Sequence, residues 1–187
     1  MRIIAGKYRG RVLKTGSGPG YRPATAKVRE AVFSMLQARN PEWTSLHVLD
    51  LFAGSGALGL EALSRGAAGA VFVEKNPAAA GILRENLQLL NIPGNKAVVV
   101  QKDAGKYVGH KAGQSFGLVF VDPPYGMSLL SRVVPKVVDN AWLDSKGVLC
   151  AEVEVKLEVF QEEFPGLALI KNKHYGQTRI LMWERTS

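Results

Sequence analysis

Three glycines close to a carboxylate form the first group of residues that could do chemistry. Asp50 ends an apolar run, and Gly54, Gly56 and Gly59 follow it with the spacing G-x-G-x-x-G. A buried strand that turns directly into a helix leaves backbone N–H groups pointing outward at the helix N-terminus. Glycine lets a ligand come close to those groups. This stretch therefore predicts a nucleotide-binding turn.

Two nucleotides fit this turn. Glu74 ends the next apolar run, so the stretch matches the dinucleotide fingerprint taken literally. The other ligand is S-adenosylmethionine (SAM), whose pocket on a similar fold favours a carboxylate at the end of the first strand, here Asp50. The glycine spacing alone does not separate the two. A P-loop is a poor fit because no Gly-Lys-Ser/Thr follows the glycines.

The second motif is the tetrapeptide Asp122-Pro123-Pro124-Tyr125, which follows the apolar run 117–121. Two prolines fix φ and remove two N–H donors, so the Asp122 carboxylate and the Pro123 carbonyl remain as acceptors. The amine of a planar base can donate its two N–H groups to these acceptors while its ring stacks on Tyr125. Such a clamp helps localise the nitrogen lone pair toward an electrophilic methyl group.

The position of this tetrapeptide favours SAM over a dinucleotide. Ligand crevices of open parallel sheets lie at the carboxyl ends of the strands, so we expect the tetrapeptide to face the glycine turn. An amine clamp is of no use to a hydride-transfer enzyme, whereas an amine methyltransferase requires one. SAM is already an activated sulfonium, so the reaction requires neither a metal nor a covalent intermediate.

The positive charge of the chain is concentrated near its N-terminus. The net charge is +8, and residues 1–45 contain nine Lys or Arg against two Glu. A localised basic segment predicts a docking arm for a polyanion, with a solvated basic tail as the alternative. Tyr8 could stack on a base or pack the arm onto the domain. The candidate contacts with such a polyanion are Arg2, Lys7, Tyr8, Arg9, Arg11, Arg22 and Arg29.

Strands and helices alternate from residue 46 onward, which predicts a mostly parallel sheet with helices on both faces. An N-terminal β-hairpin and a Gly-rich linker at 16–20 divide the chain into a basic arm, 1–20, and a catalytic domain, 21–187. Thr25 is a plausible N-cap for a helix that ends before Pro41. Predicted strands are 46–51, 70–74, 97–101, 117–122 and 147–152, with an antiparallel pair at 167–173 and 178–183; predicted helices are 57–65, 77–90, 104–111, 128–140 and 156–163.

Composition excludes several protein classes. The 187 residues contain no run long enough to cross a membrane and no secretory signal pattern, so we expect a soluble, cytoplasmic protein. Cys150 is the single cysteine and lies in an apolar run, which favours a packing role. His47, His110 and His174 show no metal-ligand spacing, so no metal is predicted.

Taken together, the motifs resemble those of the bacterial 16S rRNA guanine-N2 methyltransferases of the RsmD type, within the class I SAM-dependent methyltransferases. The resemblance covers nearly the whole chain, and its motifs are more specific together than any one alone. They are Arg2-Ile3-Ile4-Ala5-Gly6, Arg22-Pro23 through Val28-Arg29-Glu30-Ala31, residues 49–62, Phe72-Val73-Glu74-Lys75, Asp122-Pro123-Pro124-Tyr125 and Tyr175-Gly176.

The resemblance implies a Rossmann-like fold with a seven-stranded sheet and a C-terminal antiparallel strand pair. It implies SAM as the cofactor and 16S rRNA as the substrate, alone or within a small ribosomal subunit or its assembly intermediate. Glu74 would bind the ribose hydroxyls, Asp103 would lie against adenine, and Asp122 to Tyr125 would clamp the guanine amine. The implied cofactor residues are Asp50, Phe52, Ala53, Gly54, Ser55, Gly56, Glu74, Lys75, Asp103 and Ala104.

Simpler roles and other functions remain open from the sequence. Glu74 could be a solvated strand end, and Asp103 could cap the short helix that follows it. The family's usual Arg-Pro-Thr-Thr-Asp-Arg reads Arg-Pro-Ala-Thr-Ala-Lys at 22–27, which puts contacts at Ala24 and Ala26 in doubt. The alternative functions are an adenine-N6 methyltransferase acting on DNA or RNA and a non-catalytic RNA-binding assembly factor.

Overall fold

The fold is known from a computed structural model, which describes residues 1–16, 26–124, 129–157 and 164–186. The predicted N-cap Thr25, the linker residues 17–20, Arg22, Tyr125 and residues 158–163 of the last predicted helix lie outside this part of the chain. The helices are α1 (Ala26–Gln37), α2 (Ala57–Ser64), α3 (Pro77–Leu89), α4 (Ala104–Tyr107) and α5 (Leu129–Asp139). The strands are β1 (His47–Leu51), β2 (Gly69–Val73), β3 (Ala97–Val100), β4 (Phe116–Val121), β5 (Leu143–Glu154), β6 (Leu167–Tyr175) and β7 (Thr178–Arg185).

The seven strands form one sheet in the order β3-β2-β1-β4-β5-β7-β6. The first five strands of that order pair in parallel, and β7 pairs antiparallel with both β5 and β6. The predicted fold is therefore confirmed, including the closing strand pair. The strand order reverses between β1 and β4, and this reversal is the place where open α/β sheets bind ligands.

Two apolar clusters cover the two faces of this sheet. On one face α1, α2 and α3 pack against it, with Phe33 of α1 in ring contact with Phe120 of β4 at 5.8 Å between centroids. On the other face α4 and α5 pack around Val119, Leu149 and Trp183. Because both faces are covered, the central strands are apolar on both sides and carry polar residues only where they end.

Three differences from the sequence-based boundaries have local causes. Helix α4 is four residues long because its predicted continuation, 108–111, contains Gly109 and turns away. Strand β5 begins at Leu143, four residues early, and bulges opposite β4. The described start of the last predicted helix, residues 156 and 157, is not helical, and the Leu157 N–H closes a turn by donating to Glu154 O at 3.0 Å. None of the helices in the described ranges is long and apolar enough to cross a membrane.

The N-terminal segment, residues 1–14, folds back on itself and packs onto the helices. The Ile3 N–H donates to Arg11 O at 3.0 Å, and an isolated antiparallel bridge joins Arg2 to Val12. Ile3 and Leu13 are both 3% exposed and belong to the core. The Ile4 and Ala5 N–H groups donate to the buried Glu61 carboxylate of α2 at 2.7 and 3.0 Å. The segment is therefore anchored along its length.

Replacing Gly6 by alanine should loosen this anchoring. A Cβ at Gly6 would lie 1.8 Å from Ser64 O, and φ there is +81°. Gly10 supplies the matched control, because its φ is +83° and a Cβ there meets nothing within 4 Å. Both variants place alanine in the left-handed region, which costs stability, but only Gly6→Ala adds a backbone clash. We therefore expect the free energy of unfolding of Gly6→Ala to fall by about 1–3 kcal/mol more than that of Gly10→Ala. Urea unfolding of both variants measures it; equal losses would contradict the clash.

Candidate active site and its relatives

The glycine turn and the Asp122-Pro123-Pro124 loop leave neighbouring strands at the same edge of the sheet. Strands β1 and β4 are parallel, with Leu51 opposite Val121. One residue later the Asp122 N–H donates to Leu51 O at 3.5 Å. The expectation that the two motifs share one edge is confirmed. Tyr125 lies outside the described residues.

A row of carboxylates follows this edge from strand to strand. Asp103 follows β3, Glu74 follows β2, Asp50 lies on β1, Asp122 follows β4 and Glu152 lies on β5. Since paired strands lie about 4.8 Å apart, the distance from β3 to β4 is about 14 Å. An elongated ligand with positive charge would meet acceptors along the whole of that distance.

Asp50 lies below the turn and holds it in place. Its Oδ2 accepts a hydrogen bond from the Gly59 N–H of α2 at 2.9 Å, and the residue is 2% exposed. Gly59 has no space for a side chain, because a Cβ would meet the Phe72 ring at 2.3 Å. Burial raises the pKa of Asp50 to about 7, the Gly59 hydrogen bond opposes this rise, and Glu74 adds to it.

Glu74 connects the end of β2 to the turn. Its Oε2 accepts the Gly54 N–H at 2.8 Å, and its Oε1 accepts the Asn76 N–H at 2.7 Å. A carboxylate oxygen can accept more than one hydrogen bond, so these two contacts leave acceptor capacity for a ligand. Glu74 is therefore more than a solvated strand end, because its side chain is half-buried and accepts two hydrogen bonds.

The turn itself leaves room for a ligand. A Cβ at Gly54 would meet nothing within 4 Å, and φ there is +55°. Phe52 also has a positive φ, +64°, which is uncommon for a bulky residue and is often found at binding sites. Ala53 and Ser55, within the same turn, are buried. The open glycine and the neighbouring carboxylates fit a ligand that has hydroxyl and cationic groups, as SAM has.

Asp122 is only partly exposed at the edge of the sheet. Burial raises its pKa well above the ordinary range, and the negative charges of Glu152 and Asp50 raise it further. Pro123 is buried and Pro124 is exposed, so the rigid loop passes from the interior to the surface at this point. A carboxyl group in such a place accepts a proton readily and favours a cationic partner.

The remaining predicted cofactor residues lie at the β2 and β3 ends of the edge. The Asp103 carboxylate caps α4 by accepting the Lys106 N–H at 3.0 Å, so the capping role that the sequence allowed is present. Ala104 is buried behind it, and Lys75 is exposed beside Glu74. Their contacts with adenine and ribose stay predictions.

Comparison with known proteins identifies the family. The family described as "Conserved hypothetical protein 95" matches residues 1–184. Ribosomal RNA small subunit methyltransferase D of Escherichia coli strain K12 is 44% identical over 156 residues, which are 83% of this chain and 76% of that protein. This chain belongs to the methyltransferase D family.

Solved structures agree with membership of the methyltransferase D family. The E. coli protein YhhF, described as a candidate methyltransferase, is 38% identical with a TM-score of 0.86, over 99% of this chain and 97% of its own. The SAM-bound magnesium protoporphyrin IX methyltransferase of Synechocystis is 16% identical over 85% of this chain and 78% of its own, and its TM-score of 0.67 shows a shared fold. This member of the methyltransferase D family therefore has the class I methyltransferase fold.

The structure separates the predicted RNA contacts into exposed and buried residues. Arg2, Lys7, Arg9 and Arg11 are exposed, whereas Tyr8 packs partly against the core. Arg29 is 2% exposed, and its guanidinium donates to Arg2 O at 2.8 Å. Arg29 therefore leaves the set of surface cations and belongs to the anchoring of the N-terminal segment, which corrects its prediction as an RNA contact.

The exposed cations lie beside α2 and away from the carboxylate row. The Lys7 N–H donates to Ser64 O at the end of α2, and α2 begins directly after the glycine turn. Eight helical residues rise about 12 Å. A groove of about 640 Å³ adjoins this segment and is lined partly by Arg2 and Arg9. Contacts of these cations with RNA stay predictions.

Several supporting residues were not found from the sequence. Glu61 and Asn86 are both 0% exposed, although they lie on helices whose apolar pattern was read correctly. Glu152 interrupts the apolar run 148–153 of β5 and is 9% exposed. A polar residue on the apolar face of a helix, or a charge within a buried strand, was the available signal. Cys150 is buried, as predicted, and burial raises the pKa of its thiol.

Proposed function

We propose that this protein transfers a methyl group from SAM to the exocyclic N2 amine of a guanine in 16S ribosomal RNA. The observation that carries this proposal is the placement of the Asp122-Pro123 acceptors beside the open glycine turn at the strand reversal. The E. coli relative is named for methylation of small-subunit ribosomal RNA, which supports the substrate class. The bound cofactor would supply an electrophilic methyl group on a sulfonium.

The residues at the edge would orient the amine and stabilise the charge that develops on it. The Asp122 carboxylate and the Pro123 carbonyl would accept the two amine N–H groups and point the nitrogen lone pair along the edge. Transfer would form the N–CH₃ bond and break the S–CH₃ bond, leaving a neutral thioether and a cationic nitrogen whose charge the Asp122 carboxylate would stabilise. The same carboxylate can accept the departing N–H proton, because its pKa is already raised.

The test is methylation of a defined RNA. Labelled SAM should be incubated with unmodified small ribosomal subunits and with the corresponding naked RNA, and the modified base should then be mapped. We expect one guanine to carry the label at N2. Label at adenine N6 would support the adenine alternative, and cofactor binding without any transfer would support a non-catalytic assembly factor. The two substrate arms show whether the assembled subunit is required.

The exposed cations of the N-terminal segment should contribute to RNA affinity through phosphate contacts. The double variant Lys7→Gln, Arg9→Gln should bind RNA more weakly, with a shallower dependence on salt. Each phosphate contact on a single strand contributes about 0.7 to the slope of log K against log salt, so we expect a decrease of about 1.4. Equilibrium binding of a target-containing RNA at several salt concentrations measures this slope.

The matched control removes two cations elsewhere. Lys111 contacts the end of α5 on the opposite face of the sheet, and Lys146 lies near the amino end of β5; both are exposed. Lys111→Gln, Lys146→Gln gives the same net charge as the test variant. An equal loss of affinity in both double variants would mean that total charge matters and that the N-terminal segment is not a docking surface.

A further inference from the structure

Asn86 connects the N-terminal segment to the glycine turn. This residue of α3 is 0% exposed. Its Nδ2 donates to Ser55 O at 3.0 Å and to Lys14 O at 3.0 Å, and its Oδ1 accepts the Lys14 N–H at 2.8 Å. One carboxamide thus bonds two backbone segments that are far apart in sequence. A buried amide with all these bonds formed has one orientation, because a flipped amide would face donors with donors.

Ser55 is the middle residue of the turn that leaves β1 and enters α2. It is 3% exposed and lies between Gly54 and Gly56, which both have positive φ. A turn of this kind has several accessible backbone conformations, since two of its three residues are glycines. The bond from Asn86 to Ser55 O restricts the carbonyl of the central residue and so the direction of the following peptide groups.

We propose that Asn86 is a positioning residue for SAM, and that the N-terminal segment, through the Lys14 backbone, fixes Asn86 in the orientation that holds Ser55. A ligand bound at the turn then meets N–H groups that are already placed, and does not have to order them. The segment that carries the exposed cations thereby also becomes part of the support of the cofactor site. This inference rests on SAM as the cofactor and is independent of the RNA target.

The test compares two replacements of Asn86. Asn86→Ala removes all three hydrogen bonds, whereas Asn86→Asp keeps an acceptor for the Lys14 N–H and loses the donor to Ser55 O and to Lys14 O. We expect both variants to weaken SAM binding about tenfold by calorimetry. The KM for SAM should rise in the same proportion, while kcat at saturating SAM changes by less than about threefold. Hydrogen exchange of residues 53–57 should become faster in both variants.

Two controls separate positioning from a general loss of stability. Leu90→Ala removes a 3%-exposed core side chain at the end of α3 and should lower the free energy of unfolding without changing SAM affinity. Glu85→Gln removes the exposed Lys14–Glu85 ion pair next to Asn86 and should change neither quantity. SAM affinity within twofold of the native value in both Asn86 variants, at a stability like that of Leu90→Ala, would overturn the proposal. Calorimetry requires no RNA, so failure of the RNA assay would leave this result interpretable.

Discussion

Replacing Asp122 by asparagine will lower the rate of methyl transfer at least about 100-fold, the scale of removing one preorganised group that faces developing charge. Asparagine is nearly isosteric, but it exchanges one acceptor oxygen for an NH₂ donor and removes the negative charge. The donor would face the amine N–H groups of the base, and the cationic nitrogen would lose its counter-charge. Single-turnover rates at saturating SAM and RNA measure this effect on the chemical step.

SAM affinity should stay within a few-fold in this variant, because Asp122 follows β4 whereas the glycine turn and Glu74 follow β1 and β2. Asp139→Asn, at the exposed end of α5, is the control for losing a carboxylate elsewhere. Loss of transfer and of SAM binding together would mean that Asp122 supports the cofactor. An unchanged rate would remove the amine clamp from the proposed function.

The pH dependence of the native enzyme offers a second measure of Asp122. Transfer requires the ionised carboxylate, and burial together with Glu152 and Asp50 raises the pKa of Asp122. We therefore expect kcat to rise with pH through a pKa above the ordinary carboxyl range. Bound SAM brings positive charge, which lowers the pKa, so the inflection in kcat should lie below the value for the free enzyme.

The largest expected effect on stability concerns Asp50. Its pKa is raised from 3.8 to about 7, and one unit corresponds to 1.36 kcal/mol, so burying the ionised form costs up to about 4 kcal/mol. A raised folded-state pKa means that the folded protein binds the proton more tightly than the unfolded chain. The tighter proton binding adds to the free energy of unfolding. This contribution is complete below about pH 4 and is lost as pH rises toward about 7.

Asp50→Asn should remove this fall in stability. The variant keeps an acceptor for the Gly59 N–H but cannot ionise, so its free energy of unfolding should depend less on pH between about 4 and 8. At about pH 8 we expect it to be at least as stable as the native protein. Its affinity for SAM should fall about tenfold or more, because it lacks the charge opposite the cationic cofactor.

Urea unfolding across this pH range, without and with SAM, measures both effects. The difference between the native and variant curves reports the titration of Asp50 together with its effect on Asp122, whose pKa the Asp50 charge raises. Parallel curves would contradict the role of Asp50 as the buried titrating group. Unchanged SAM affinity would show that the carboxylate supports the turn alone, as its bond to Gly59 already does in this structure.

The fold and the edge of the candidate site follow from local sequence patterns. Apolar runs that end in Asp50, Glu74 and Asp122 indicate buried strands with polar ends, and parallel strands must present those ends together. Pro123 and Pro124 restrict the backbone, and the turn glycines permit the close turn and the positive φ that other residues disfavour, so both motifs could be recognised from residue type alone. The predicted length of the helix at 104–111 was wrong, because so short a pattern contains few residues from which to judge where a helix ends.

The residues that support the site could not be read in this way. Glu61, Asn86 and Arg29 bond to backbone groups of the N-terminal segment, which are far from them in sequence. No local pattern predicts such a partner. A polar side chain is buried favourably only when a group distant in sequence forms hydrogen bonds with it in the folded protein. Arg29 was read as a surface cation for the same reason.

The sequence by itself determined the class of fold, the edge at which the motifs meet and the chemistry that those motifs favour. Each of these depends on residue types within a few positions of one another, where backbone restriction and hydrophobic periodicity act. Only the tertiary structure decided which charges are exposed, which carboxylates have raised pKa values and what holds the glycine turn. Those properties depend on desolvation and on hydrogen bonds between distant segments, which exist only after the chain has packed.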